Sequence, residues 1–178
     1  MPLASFFRRK PHERTGFVLY GHAVAAARQP RPFAEWGVPD STAGRFELIT
    51  LTAGLLIRRL KAEGNETGDA LGQAVFDAMF SDMDVSLREM GVGDLSVGKR
   101  VKLLWESFHG RATAYEAAMT EEADAPLLDA ISRNVWAGGE VPAEGAGALA
   151  GWARRIASNL ANQPVEAFLA GRVQYPAP

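Results

Sequence analysis

The 178-residue chain contains no cysteine. Disulfide bonds, thiolate metal sites, iron–sulfur ligation and a cysteine nucleophile are therefore excluded, and any metal would need histidine or carboxylate ligands. Long apolar runs are also missing, because the longest, residues 48–57, has ten residues including two threonines, whereas about 20 are needed to span a bilayer. The start, MPLASFFRRKP, places its cations after a short apolar stretch, the reverse of a secretory signal. We therefore expect a cytoplasmic protein.

Strand signals are nearly absent as well. No alternating Val/Ile/Thr run of useful length and no Asn-Gly or Asp-Gly hairpin turn occurs, while apolar residues recur at spacings of three and four along most of the chain. The length is that of one domain. We predict an all-α, single-domain helical bundle of about six to seven helices with a central antiparallel helical hairpin. It should occupy residues 13–172, between a flexible basic amino terminus (1–12) and a carboxyl-terminal tail (173–178).

The helix boundaries follow from periodicity, caps and breakers. Helices are predicted at about 16–29, 40–63, 67–90, 96–120, 126–137 and 148–162, with a short one from residue 164. Residues 30–44, with three prolines, should form a long structured connection. The tight turn at residues 91–94 makes the third and fourth helices an antiparallel hairpin, and Ser96 is the expected cap of the fourth helix.

Charge is distributed unevenly along the chain. Residues 1–63 contain ten Lys/Arg and five Asp/Glu (+5), and residues 64–178 contain nine and sixteen (−7), which gives the total of −2. A basic front portion can meet anionic lipid or RNA phosphate through a sequence-independent field. A solvated surface balanced across one fold explains the same pattern equally well.

Motifs for catalysis and metal binding are sparse. Glu106 and His109 have the Glu-x-x-His spacing of di-iron bundles, but such a site needs that motif twice plus two further glutamates, and one copy is present. No nucleophile elbow, phosphate-binding loop or dinucleotide fingerprint occurs. We expect no catalytic residue, no metal and no cofactor, with His109 a surface or boundary histidine.

A polar block surrounds the predicted hairpin. It forms either an interhelical salt-bridge network with a solvated face or a charged docking surface, and the Met/Phe stripe beside it is either core or an adaptable binding groove. The residues concerned are Phe76, Asp77, Phe80, Asp82, Asp84, Arg88 and Glu89 on the third helix, and Lys99, Arg100 and Lys102 at the start of the fourth.

Residues 20–115 resemble the ubiquinol–cytochrome c chaperone family, the assembly factors of the cytochrome bc complex in alphaproteobacteria and mitochondria. The resemblance is carried by several blocks and is most specific from Phe76 to Lys102. The blocks are Tyr20-Gly21, Gly37-Val38-Pro39-Asp40, Gly44-Arg45-Phe46-Glu47, Phe76 to Asp84, Leu87 to Lys102, and Phe108 with Gly110-Arg111 and Tyr115.

This resemblance implies a non-enzymatic helical chaperone that binds newly made cytochrome b near the ribosome exit tunnel and promotes assembly of ubiquinol–cytochrome c reductase. Because the chain starts almost directly at the domain, we expect a bacterial member of the family. The polar block and its two phenylalanines are then the candidates for client binding. We expect peripheral contact with the inner membrane and no DNA partner. Candidates for the ribosome or another anionic surface are Arg8, Arg9, Lys10, Arg45, Arg58, Arg59 and Lys61.

Two alternatives remain open on the sequence. An RNA-binding adaptor would touch ribosomal phosphate through Arg58, Arg59 and Lys61. A small helical enzyme or ligand carrier would use a Met/Phe-lined cavity with Asp77 or Asp82 as base.

Overall fold

The structure, a computed structural model, describes residues 12–137 and 139–178. Over those residues the chain forms eight helices and no strand, which confirms the all-α prediction. The count exceeds the predicted six to seven because a short helix, α2, lies in the predicted connection. The helices are α1 (Glu13–Ala27), α2 (Arg31–Ala34), α3 (Thr42–Lys61), α4 (Glu66–Glu89), α5 (Asp94–Thr120), α6 (Ala125–Val135), α7 (Ala143–Ala161) and α8 (Val165–Leu169).

Helix α3 is the centre of the bundle and contacts α1, α4, α5, α6 and α7. Its apolar residues occupy more than one stripe, so several of its faces can be buried at once. Ser41 caps its start, accepting a hydrogen bond from the Gly44 amide at 3.2 Å. The buried Thr52 hydroxyl lies 3.0 Å from the carbonyl oxygens of both Ala23 and Leu48, which links α3 to α1.

Helices α1 and α4 approach each other very closely at Gly16. A Cβ atom placed there would lie 2.5 Å from the Ala74 carbonyl group, which is far shorter than any van der Waals contact. Glycine is therefore required at this position for the two backbones to pack together.

Helices α4 and α5 form the predicted antiparallel hairpin. Gly91, with φ of +84°, ends α4 in the left-handed region, and the Val92 amide donates to the Leu87 carbonyl at 3.0 Å. The prediction that Ser96 caps α5 is wrong: the cap is Gly93, whose carbonyl accepts from the amides of Ser96 and Val97. Asp94 thereby occupies the first turn, where a carboxylate favours the positive end of the helix dipole.

The proline-rich connection packs against α6 and α7. Trp36 and Val38 are buried, and the Trp136 indole donates to the Gly37 carbonyl at 2.7 Å. At Gly145, in the first turn of α7, a Cβ atom would lie 1.9 Å from the Trp36 carbonyl oxygen. The connection is thus an ordered layer of the fold.

The last residues of the chain lie against the bundle. The Trp152 indole donates to the Pro176 carbonyl at 2.9 Å, the Tyr175 hydroxyl to the Thr52 carbonyl at 3.2 Å, and Arg31 to the Pro178 carbonyl at 2.7 Å. Side chains of α2 and α7 and the α3 backbone therefore hold residues 173–178.

Candidate functional site

A groove of about 620 Å³ opens between α3, α4 and α5. Its apolar walls come from Leu55 and Ile57 of α3, Phe76 of α4, and Trp105 and Phe108 of α5. Helical spacing explains why the α5 residues share one wall, since positions three and four apart lie on the same face. The groove is an apolar surface that the bundle leaves open.

Aromatic rings form one wall of this groove. Phe76 lies with its ring centroid 4.7 Å from that of Phe80 and 5.5 Å from that of Phe108. Trp105 remains 45% exposed, and its ring lies 4.0 Å from the His109 imidazole. Phe76 packs against the core and also lines the groove, whereas Phe80 packs against the core and the Phe76 ring without lining the groove.

Two cations stand at the edge of the groove. Arg58 and Lys61, from the last turn of α3, both line it. Among the residues that the structure describes, neither side chain has an ion-pair partner within 4.0 Å. Glu116 of α5 lines the same groove. The rim thus offers two cations beside an apolar floor.

The acidic candidates Asp77 and Asp82 lie on another side of α4, toward α1. Asp82 accepts a hydrogen bond from the buried Tyr20 hydroxyl at 2.8 Å, and burial, together with this carboxylate, raises the pKa of Tyr20. Asp77 accepts from Gln73 at 2.8 Å and lines a separate cleft of about 590 Å³ between α1 and α4. Neither carboxylate lines the aromatic groove, so the arrangement expected for a carboxylate base in a Met/Phe cavity is not present there.

The charges at the hairpin turn are paired within the turn. Arg88 donates to Asp84 at 2.6 Å and also to Asp94. These hydrogen bonds and charges, with Asp84 first, raise the pKa of Arg88. The interhelical network left open by the sequence is thus limited to the pair Arg88–Asp94 among the described residues.

The three cations of α5 do not join that network. Lys102 approaches Glu106 of its own helix at 3.8 Å. Lys99 and Arg100 are exposed and, within the described ranges, make no ion pair. Glu89, at the end of α4, is also exposed.

The cationic candidates separate into four groups. Arg8, Arg9 and Lys10 lie outside the described residues. Arg45 donates to Asp40 at 2.7 Å, and its guanidinium lies 5.4 Å from the centre of the Phe33 ring.

Arg59 has a structural role instead. Its guanidinium donates to the carbonyls of Leu160 and Gln163 at 3.0 Å each, pairs with Glu63 and lies over the Phe168 ring. It connects α3 to the end of α7, and only its neighbours Arg58 and Lys61 face the groove.

A buried ion pair, Glu47–Arg111, was missed by the sequence interpretation. Glu47 is 4% exposed, and its Oε2 accepts from Arg111 Nε at 2.5 Å. Arg111 also donates to the Ser107 carbonyl at 3.1 Å and covers the Phe46 ring. Burial raises the pKa of Glu47, while the hydrogen bond and charge of Arg111 oppose that rise. The signal was present: Glu47 adjoins a strongly apolar run of α3, and a buried carboxylate requires a partner.

The Glu-x-x-His pair does not assemble a larger cluster. His109 Nδ1 lies 2.9 Å from the Trp105 carbonyl oxygen, and Glu106 approaches Lys102. Over residues 12–137 and 139–178, no group of three or more His, Asp or Glu side chains could hold a metal ion. No helix within those same ranges is long and apolar enough to span a bilayer.

Comparisons with known proteins complete the description. A family model described as ubiquinol-cytochrome C chaperone matches residues 34–175. The crystal structure of the Cbp3 homolog from Brucella abortus is similar, with a TM-score of 0.82 and 37% identity over 93% of this chain and 90% of that chain. A comparison with curated proteins finds no match. The hairpin and the aromatic groove both lie within the matched residues.

Proposed function

Because the chain belongs to the ubiquinol-cytochrome c chaperone family, we propose that it acts in assembly of respiratory complex III by binding newly synthesised cytochrome b in the α3–α4–α5 groove. The role is one of binding, without catalysis. The observation that supports it is an open apolar groove with a half-exposed tryptophan on its wall and two unpaired cations on its rim.

The dimensions of the groove suit a client helix. Its α5 wall extends from Trp105 to Glu116, which at 1.5 Å per residue is about 17 Å, or roughly three helical turns. Cytochrome b is a membrane protein, and its apolar segments must be shielded from water until they enter the bilayer. An amphipathic or apolar helix laid into a hydrophobic groove is a common mode of recognition.

The cations at the rim of the groove favour a client segment that carries a negative charge at its end. Arg58 and Lys61 would attract a carboxylate at the end of the client's apolar segment. They would also attract ribosomal phosphate next to a chain that leaves the exit tunnel. We place the protein on the cytoplasmic side, where the client is made. A ribosome contact near the exit tunnel is a second candidate role, and the unpaired state of these two cations favours it.

Crosslinking from the groove tests the client assignment. A photoreactive phenylalanine analogue replaces Trp105 in cells that synthesise cytochrome b, and the matched control carries it at Leu128, an exposed residue of α6. We expect a crosslink to cytochrome b from position 105 and none from position 128. Equal yields from both positions, or none from either, would reject the groove as the client site.

A haem difference spectrum tests the role itself. Membranes from cells lacking the gene should lose the b haems of the bc complex while other cytochromes remain, and the intact gene should restore them. Complementation with Trp105→Ala should restore them only in part, because the apolar wall is reduced while the fold is retained. Unchanged b haem in the deletion strain would contradict a role in assembly.

A further inference from the structure

The end of the α4–α5 hairpin is unusually exposed for a folded helical protein. Of residues 84–103, only Leu87 and Val97 are buried. Four large apolar side chains in the same segment lie mostly in water: Val85 at 49% exposure, Met90 at 55%, Leu95 at 101% and Leu103 at 53%. Single exposed apolar side chains need no explanation, but four within one 20-residue segment point to a contact surface.

Cations accompany these apolar residues. Residues 95–103 contain Lys99, Arg100 and Lys102 and no acidic residue. On α5, residues at spacings of four and eight share a face, so Leu95, Lys99 and Leu103 lie along one outward strip, with Lys102 beside it. Of the nearby carboxylates, Asp84 and Asp94 are paired with Arg88, and Glu89 is exposed. Residues 84–103 therefore contain four cations and three anions. The local charge is therefore positive in a part of the chain that is acidic overall.

We propose that this hairpin end docks on the surface of an anionic lipid bilayer, with Leu95 and Leu103 at the acyl boundary and the three cations among the headgroups. A surface that combines aliphatic side chains with interspersed lysine and arginine matches the interfacial region of a membrane. Phosphate of RNA would attract the cations but gain nothing from the exposed leucines.

This proposal is independent of the client groove. The membrane contact expected from the sequence rested on the basic front portion of the chain, residues 1–63. The hairpin contact rests instead on residues 85–103. Trp105 and His109 face the groove, and a change there should leave lipid binding unaltered.

Vesicle flotation of the full chain provides the test. The vesicles are phosphatidylcholine alone or phosphatidylcholine mixed with phosphatidylglycerol. The triple variant Lys99→Ala, Arg100→Ala, Lys102→Ala should bind the anionic vesicles about a hundredfold more weakly, at about fivefold per cation. The double variant Leu95→Ser, Leu103→Ser should bind the anionic vesicles roughly tenfold more weakly, because it buries less apolar area in the bilayer.

A matched control variant removes three positive charges from other parts of the surface. Arg28, Arg155 and Arg172 are exposed residues of other segments, and their joint replacement by alanine should leave vesicle binding close to that of the parent. Circular dichroism spectra of each variant serve as the check that it folds. Absence of parent binding to anionic vesicles, or equal binding by the triple variant, would overturn the proposal. So would a triple variant that loses ribosome binding while it retains vesicle binding, since the partner would then be RNA.

Discussion

Replacement of Arg111 by methionine should destabilise the protein strongly, and the loss should depend on pH. Methionine retains most of the aliphatic contact with Phe46 but removes the guanidinium that pairs with Glu47 at 2.5 Å. Glu47 then remains 4% exposed without its partner. Removing one member of a buried ion pair costs about 3 kcal/mol or more, because the remaining charge is uncompensated.

The direction of the pH dependence follows from the pKa of Glu47. Burial raises it above its ordinary value of 4.5, and Arg111 opposes that rise, so Arg111→Met raises it further. The folded variant then binds the Glu47 proton more tightly than the unfolded chain does, and its stability falls as pH rises from about 4.5 through the raised pKa. We expect the full loss near neutral pH and most of it recovered below about pH 4.5, where Glu47 is protonated in both states.

Urea unfolding at several pH values measures this effect. The double variant Glu47→Gln, Arg111→Met should recover about 2 kcal/mol at neutral pH, because no buried charge remains. Arg45→Met is the matched control: its ion pair with Asp40 is about half exposed, so it should cost under about 1 kcal/mol. A loss in Arg111→Met that is equal across this pH range, or that Glu47→Gln does not relieve, would refute the reasoning.

Three further substitutions, one of them with a matched control, test the packing and hydrogen bonds of the fold. Gly16→Ala should lower the free energy of unfolding by about 1–3 kcal/mol because the methyl group meets the α4 backbone, whereas Gly21→Ala on the same helix, with no atom within 4 Å, should raise it by up to about 1 kcal/mol. Tyr20→Phe should cost about 1 kcal/mol in urea unfolding, since the hydroxyl donates to Asp82. Trp152→Phe should cost more, about 2–4 kcal/mol, because it removes the indole donor and leaves a cavity at a fully buried position. It should also speed proteolysis of the carboxyl terminus, which the indole holds at 2.9 Å.

Local sequence signals were sufficient for much of the fold. The apolar stripe of α3 predicts its central position, and the turn at residues 91–94 predicts the hairpin, because both depend on spacing and turn chemistry within one segment. Ser96 shows the limit of such signals: a good capping residue lies next to another possible start, and the backbone hydrogen bonds of Gly93 decide between them. Helix α2, of four residues, is too short for periodicity to reveal.

The candidate site was harder to predict because it joins distant segments. Arg58 and Lys61 were assigned to one surface and Phe76 to another, yet all three line one groove. Arg59, their neighbour, points instead to the end of α7. Glu47 and Arg111 are separated by 64 positions, and no rule of spacing relates residues on different helices. Such juxtapositions depend on how the helices cross, which is decided by packing.

Helix α5 connects the two proposed surfaces. Only four of its 27 residues are buried, Val97, Phe108, Tyr115 and Ala118, so most of its circumference is available to partners. Trp105, on the groove, is ten residues from Leu95, a distance of about 15 Å along the helix. The proposed docking surface also includes Leu103, two residues before Trp105, so the groove entrance would lie within about 15 Å of the headgroups. An apolar client segment could then pass into the bilayer without a long exposure to water. The two proposals also fail separately. Trp105→Ala should weaken client binding and leave vesicle binding unchanged, whereas the Lys99, Arg100, Lys102 variant should keep the crosslink from the groove and bind anionic vesicles more weakly.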